Sequence, residues 1–214
     1  HAHYDHTDAL PRFFQLNPEA LLYASNNLRT SHYSSSTGEC RPIGLSPESC
    51  TALKVLKERN RNLLRLFSSF LEMGERGVQL YESIEQNHPL EVPSPNLFTD
   101  SDCSVPDSMV DEVALSIETK RGLFLLTGCC HCGIINLCEA VKRRREKPII
   151  GVMGGLHLAG SSSERLEATA SYLENEGVER VILCHCTGDE ESAFLKKRLG
   201  DRVIIGRVGL ELEI

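Results

Sequence analysis

The chain has 214 residues, 41% hydrophobic and 25% charged, with a formal net charge of −7. That is a globular composition, long enough to bury a sizeable core and poor in the features of long disorder. The acidic balance disfavours a sequence-independent binder of nucleic-acid phosphates, and no apolar run approaches the roughly 18 residues needed to span a bilayer.

Along the chain, HAHYDHTDAL opens polar and His-dense, and a short helix is predicted from about Ala9 to Leu16. Ala20 to Ala24 reads as a buried strand, and residues 25–46, rich in Ser, Asn, Thr and Gly, as a long loop. Residues 47–73 read as one helix, capped by Ser46 or Ser49, striped with Leu53, Leu56, Leu63, Leu64, Phe67, Phe70 and Leu71, and ended by Gly74 and Gly77. Residues 85–108 look irregular. The region 25–108 is taken as an insert or lid within a single domain spanning 1–214.

From residue 110 the pattern becomes alternating α/β. Strands are predicted at 113–117, 123–126, 149–153, 181–183, 203–205 and 208–214, with helices at about 133–145, from the Ser161-x-x-Glu164 capping box to Gly177, and from the Thr187-x-x-Glu190 capping box to Leu199. This order implies a sheet covered by helices.

The chemistry-bearing residues follow strand ends. His131 follows strand 123–126, His157 follows 149–153, and His185 follows 181–183, each beside small residues that let the backbone turn. At the start, His1 and His3 on an extended segment point the same way and suit one metal ion. Asp5 and His6 on the next turn reach a second. Neutral imidazole with one carboxylate suits Zn²⁺ or Fe²⁺.

HAHYDH resembles the HxHxDH signature of the metallo-β-lactamase fold. DEVALSIETKRGLFLLTGCCHCGIINL, GVMGGLHL and LCHCTGDEESAFL resemble one branch of it, the dihydropterin–ribofuranosylaminobenzene phosphate synthase-like metal-dependent hydrolases. The resemblance implies an α/β fold, a four-layer αββα sandwich. It also implies a first metal on His1, His3 and His131 and a second on Asp5, His6 and His185. One or two divalent ions follow, Zn first, with Fe or Mn as alternatives. Where many members carry a bridging Asp, this chain offers His157, which is given a role in contacting substrate or stabilising the leaving group. The fold normally has strands before its first motif, so an N-terminal segment is expected to be missing. The alternative is a true N-terminal His1 chelating copper through its amino group.

The function these residues imply is metal-dependent hydrolysis or group transfer. A metal-bound hydroxide, at a water pKa of roughly 7, would act on a small anionic substrate, phosphorylated or pterin-like, with Asp5 as proton acceptor. Helix N-termini after His131 and at Thr187–Asp189, and Arg12, Arg29 and Arg41, are offered to the anion. The alternatives are a non-catalytic or redox-responsive Cys/His metal-binding protein and a nuclease of the same fold, the latter lacking a basic exosite. No nucleic-acid or membrane partner is expected, and a homo-oligomer is left open. Five of the nine Cys, Cys129, Cys130, Cys132, Cys184 and Cys186, are bunched around His131 and His185 rather than spaced as staples, which reads as a reduced, cytoplasmic setting.

Overall fold

In the computed structural model, residues 1–60, 62–73, 77–82, 84–92 and 94–214 are described. The chain divides into two units, His1–Ser69 with Pro93–Val113, and Phe70–Val92 with Ala114–Ile214.

The first unit opens with a one-turn helix, α1 (Tyr4–Thr7), and α2 (Leu10–Leu16) with Pro11 in its first turn. Strand β1 (Leu22–Ser25) follows, then the two-residue strands β2 (Tyr33–Ser34) and β3 (Arg41–Pro42) inside the stretch read as loop. Helix α3 (Pro47–Arg59) starts as expected, with the Ser46 side chain accepting the N–H of Ser49. It does not run to residue 73. Asn60 leaves the helical region, and its Oδ1 accepts the N–H of Asn62 at 2.9 Å, a local turn that competes with the next helical bond. The chain then forms β4 (Leu64–Phe67), parallel to β1, and β5 (Phe70–Met73). Leu53 and Leu56 of the Leu/Phe stripe stay in α3, while Leu64, Phe67, Phe70 and Leu71, which fit the same helical period, belong to two strands. Gly74, the expected helix end, lies outside the described residues. Strand β7 (Leu97–Phe98) pairs with β2, and its Leu97 packs with Ile43 and Met109.

The second unit is built on a seven-stranded sheet. Its strands are β5, β6 (Val78–Glu82), β8 (Val113–Glu118), β9 (Leu123–Leu126), β10 (Ile149–Gly154), β11 (Arg180–Leu183) and β12 (Val203–Ile205). They lie in the order β12-β11-β10-β9-β8-β6-β5, with β9 to β12 mutually parallel and β8 antiparallel to β9. Helices α4 (Ile134–Arg145), α5 (Ser163–Asn175) and α6 (Asp189–Leu199) cross between the parallel strands. Their apolar faces supply Leu137, Val141, Leu173 and Leu195, each at most 1% exposed, against Leu123, Val152 and Leu183. Burying each such side chain contributes roughly 1.5–3 kcal/mol.

Three local readings are corrected. The cap of α5 is Ser162, not Ser161; its side chain accepts the Arg165 N–H. Thr187 does not cap α6: its hydroxyl donates to the Cys184 carbonyl and accepts the Leu156 N–H, and Gly188 takes the N-cap position. Residues 208–214 form no strand, since β12 is the last member of the sheet on that side. The strand β6, with its Gln79–Ser116–Tyr81 hydrogen bonds, was not anticipated.

Candidate metal centre

In the first unit, His1 and His3 sit one residue apart on extended backbone and α1 begins immediately after them. The turn of α1 carries His6 back, so the ring of His1 lies 4.5 Å from that of His3 and 4.4 Å from that of His6. Asp5 Oδ2 lies 3.6 Å from His6 Nε2. The Asp5–His6 turn therefore lies beside the His1–His3 segment. The segment is pinned by its backbone. Ala2, fully buried, donates its N–H to Asp111 Oδ2 at 2.7 Å, and Tyr4 N–H donates to the Ile43 carbonyl at 2.9 Å.

Behind His3 lies a cluster that sequence reasoning missed. The ring of His32, fully buried, is 5.0 Å from that of His3. Its Nδ1 is 2.5 Å from Asp107 Oδ2 and its Nε2 is 3.1 Å from Asp111 Oδ2. Burial alone would lower the pKa of His32, but the hydrogen bonds to Asp107 and Asp111 outweigh it and push it up to about 9. His32 is thus an imidazolium held between two carboxylates. Burial, then the charge of His32, push His3 down to about 4, which keeps its imidazole neutral and its lone pair available to a metal. His32 lies in the stretch read as loop, and no spacing rule links it to residues 107 and 111.

In the second unit, the loops after β9, β10 and β11 emerge from one edge, because these strands are parallel neighbours. They deliver His131, His157 and His185, as expected. The loops are stitched together: Thr127 Oγ1 donates to the Gly155 carbonyl at 2.9 Å, and Gly155 N–H to the Gly128 carbonyl at 3.0 Å. A Cβ on Gly154 would lie 2.2 Å from the Thr127 carbonyl oxygen, so only glycine permits this approach. Cys130, His157 and His185 adopt φ of 58°, 47° and 53°. Non-glycine residues there carry strain of about 1–2 kcal/mol each, a cost commonly found at functional sites.

The rings of His131 and His157 lie 4.2 Å apart. Burial first, then the charge of Arg165, lower the pKa of His157. Arg165 lies within electrostatic reach of that ring, and its Nε is buried without a hydrogen-bond partner among the described residues. The Arg12, Arg29 and Arg41 candidates did not foresee it; Arg12 instead bonds Gln15 at 3.2 Å.

The two helix N-termini offered to an anionic substrate are already supplied with carboxylates. At α4, Glu91 accepts the N–H groups of Ile135 at 2.9 Å and Asn136 at 2.8 Å. At α6, Asp189, Glu190 and Glu191 fill the first turn, and Glu191 accepts the Gly160 N–H at 2.8 Å. Cys40 and Cys103 form a disulfide, so the reading of a wholly reduced set of thiols does not hold for this pair.

The donors gathered are imidazole nitrogens and carboxylates in the first unit, and imidazoles with thiols in the second. That chemistry fits a borderline to soft divalent ion.

No protein-family model matches the chain. It is 28% identical over 211 residues to a 7,8-dihydropterin-6-methyl-4-(beta-D-ribofuranosyl)-aminobenzene-5'-phosphate synthase of Methanocaldococcus jannaschii, over 92% of this chain and 68% of that protein. It is 38% identical over 105 residues to an uncharacterized protein of the same organism, over 49% of this chain and 38% of that one. The crystal structure of a metal-dependent hydrolase of the β-lactamase superfamily superposes with a TM-score of 0.81 at 24% identity, covering 100% of this chain and 77% of the other.

The chain has the metallo-β-lactamase fold. The sequence likeness to the synthase supports the same branch of that fold as its motifs do. Within the metallo-β-lactamase fold of this chain, no helix among the described residues is long and apolar enough to cross a membrane.

Proposed function

We propose that this chain is a metal-dependent enzyme that hydrolyses a small anionic substrate or transfers a group from it. His1, His3 and His131 would hold one divalent ion and Asp5, His6 and His185 a second, zinc first. The observation that carries the reading is the convergence of His1 with His3 and His6 in the first unit, produced by the motif HAHYDH itself. The name of the related synthase, whose named product carries a pterin and a phosphate, supports an anionic and pterin-like class.

A divalent ion bound there would lower the pKa of its water and polarise the scissile group. The chain's own residues would do the rest. Asp5, exposed beside His6, would orient the nucleophile and accept its proton. His157, kept neutral by burial, would donate an N–H to charge developing on the leaving group. Arg165 would hold the substrate's anionic group through its guanidinium. A cytoplasmic setting remains part of the proposal, with the Cys40–Cys103 pair as its exception.

The test is turnover of a panel of phosphorylated and pterin-bearing small molecules by the chain loaded with Zn²⁺, Fe²⁺ or Mn²⁺. Loss of turnover on chelation and in His131→Ala supports the proposal. Turnover that survives both overturns it.

A further inference from the structure

His185 belongs to a second constellation inside the second unit. One ligand atom from each of Cys129, His185 and Cys186 lies within 4.8 Å of the other two. Cys129 is buried in the loop after β9, while His185 and Cys186 are more open in the turn after β11. The two loops are joined there by the Cys186 thiol, which donates to the Cys129 carbonyl at 3.5 Å. The arrangement also depends on a third loop. A Cβ on Gly155 would lie 2.6 Å from Cys186 Sγ and 3.4 Å from Cys129 Cα, so the absence of a side chain at 155 is what admits the sulfur. His185 is held at φ 53°, a conformation that an unconstrained His would leave.

We propose that Cys129 and Cys186 join His185 as ligands, so that the ion at His185 has sulfur as well as nitrogen donors. This rests on the reading of His185 as a metal ligand given above. Zn–S bonds of about 2.3 Å and Zn–N bonds of about 2.0 Å need ligand atoms under about 4 Å apart, a small closure from the spacing present. Each thiol that binds releases its proton to solvent, so two protons leave per ion taken up. Thiolates favour Zn²⁺ over Mn²⁺, which sets the metal preference of this position.

The probe is Co²⁺, added to the reduced, metal-stripped chain and followed by absorption. The proposal expects a near-ultraviolet sulfur-to-cobalt charge-transfer band, weakened by about half in Cys129→Ser and in Cys186→Ser and lost in the double variant. Cys184→Ser, adjacent in sequence but outside the group, keeps the full band and shows that serine at this strand end does not unfold the loop. Visible cobalt bands without the charge-transfer band overturn this inference while leaving the imidazole centre in place. A charge-transfer band that persists in the double variant also overturns it. A band that survives His3→Ala and His131→Ala supports the sulfur site on its own, whatever becomes of the enzymatic reading.

Discussion

Asp111 accepts the N–H of Ala2 at 2.7 Å, and the same oxygen faces Nε2 of His32 at 3.1 Å. One carboxylate therefore fixes the backbone between His1 and His3 and is itself held by a buried imidazolium. Burial alone would raise the pKa of Asp111, but the hydrogen bond and charge of His32 lower it, so the carboxylate is ionised.

Removing one partner of such a buried pair leaves the other charge uncompensated, at a cost of about 3–5 kcal/mol. His32→Leu and Asp111→Ala are expected to destabilise the chain on that scale and to weaken metal binding by about 10–100-fold. Asp111→Asn keeps an acceptor for Ala2 and is expected to be milder. Denaturant melts and metal titration check this; a His32→Leu variant with wild-type stability and affinity contradicts it.

Gly133, at φ 88°, lies against Glu91: a Cβ there would sit 2.3 Å from the carboxyl carbon. Gly133→Ala is expected to push Glu91 off the start of α4. Loss of that cap costs about 1 kcal/mol, and the left-handed backbone adds about 1–2 kcal/mol. A melt within error of wild type would contradict the packing described.

Burial raises the pKa of Glu91 more than the N–H groups of Ile135 and Asn136 lower it. A group whose folded pKa is raised gives stability that is present below its unfolded pKa and lost as pH rises through the folded value. Relative to Glu91→Gln, the wild type is therefore expected to lose stability between about pH 4 and the raised Glu91 value. Paired melts across pH check the sign. A gap that moves in favour of the wild type as pH rises means that the helix N–H groups win over burial.

Arg165 is assigned to the substrate's anion. Arg165→Ala is expected to raise KM for an anionic substrate by about 10-fold or more, with a smaller effect on kcat, as loss of ground-state binding does. Steady-state kinetics on any substrate that the panel yields tests it, and an unchanged KM removes Arg165 from the site.

Much of this centre was legible because its signals are local. HxHxDH is a spacing of six residues, and each of His131, His157 and His185 follows a recognisable strand. What failed was what only tertiary structure decides. The stripe from Leu53 to Leu71 fits a helix until Asn60 turns the chain, and Thr187 looks like a cap until its hydroxyl is claimed by Cys184 and Leu156. Residues 208–214 alternate like a strand but pair with no neighbour in the sheet. His32, Asp107 and Asp111 come from irregular stretches, and Glu91 meets α4 across 44 residues. The Cys40–Cys103 disulfide links positions 63 apart, away from the five cysteines bunched around His131 and His185.

That disulfide closes a loop whose entropy in the unfolded chain is worth about 4 kcal/mol. Cys40→Ser with Cys103→Ser is expected to lower stability by up to that amount while leaving metal content unchanged. Thiol titration of the denatured chain before and after reduction, rising by two, verifies the bond; no rise contradicts it.

The central claim is that imidazoles from HAHYDH and from the strand-end loops share divalent ions. Metal content per chain, measured on the purified wild type beside His3→Ala and His131→Ala, tests it most directly. The account predicts one to two ions in the wild type and the loss of about one in each variant. Wild-type metal content in both variants would contradict it.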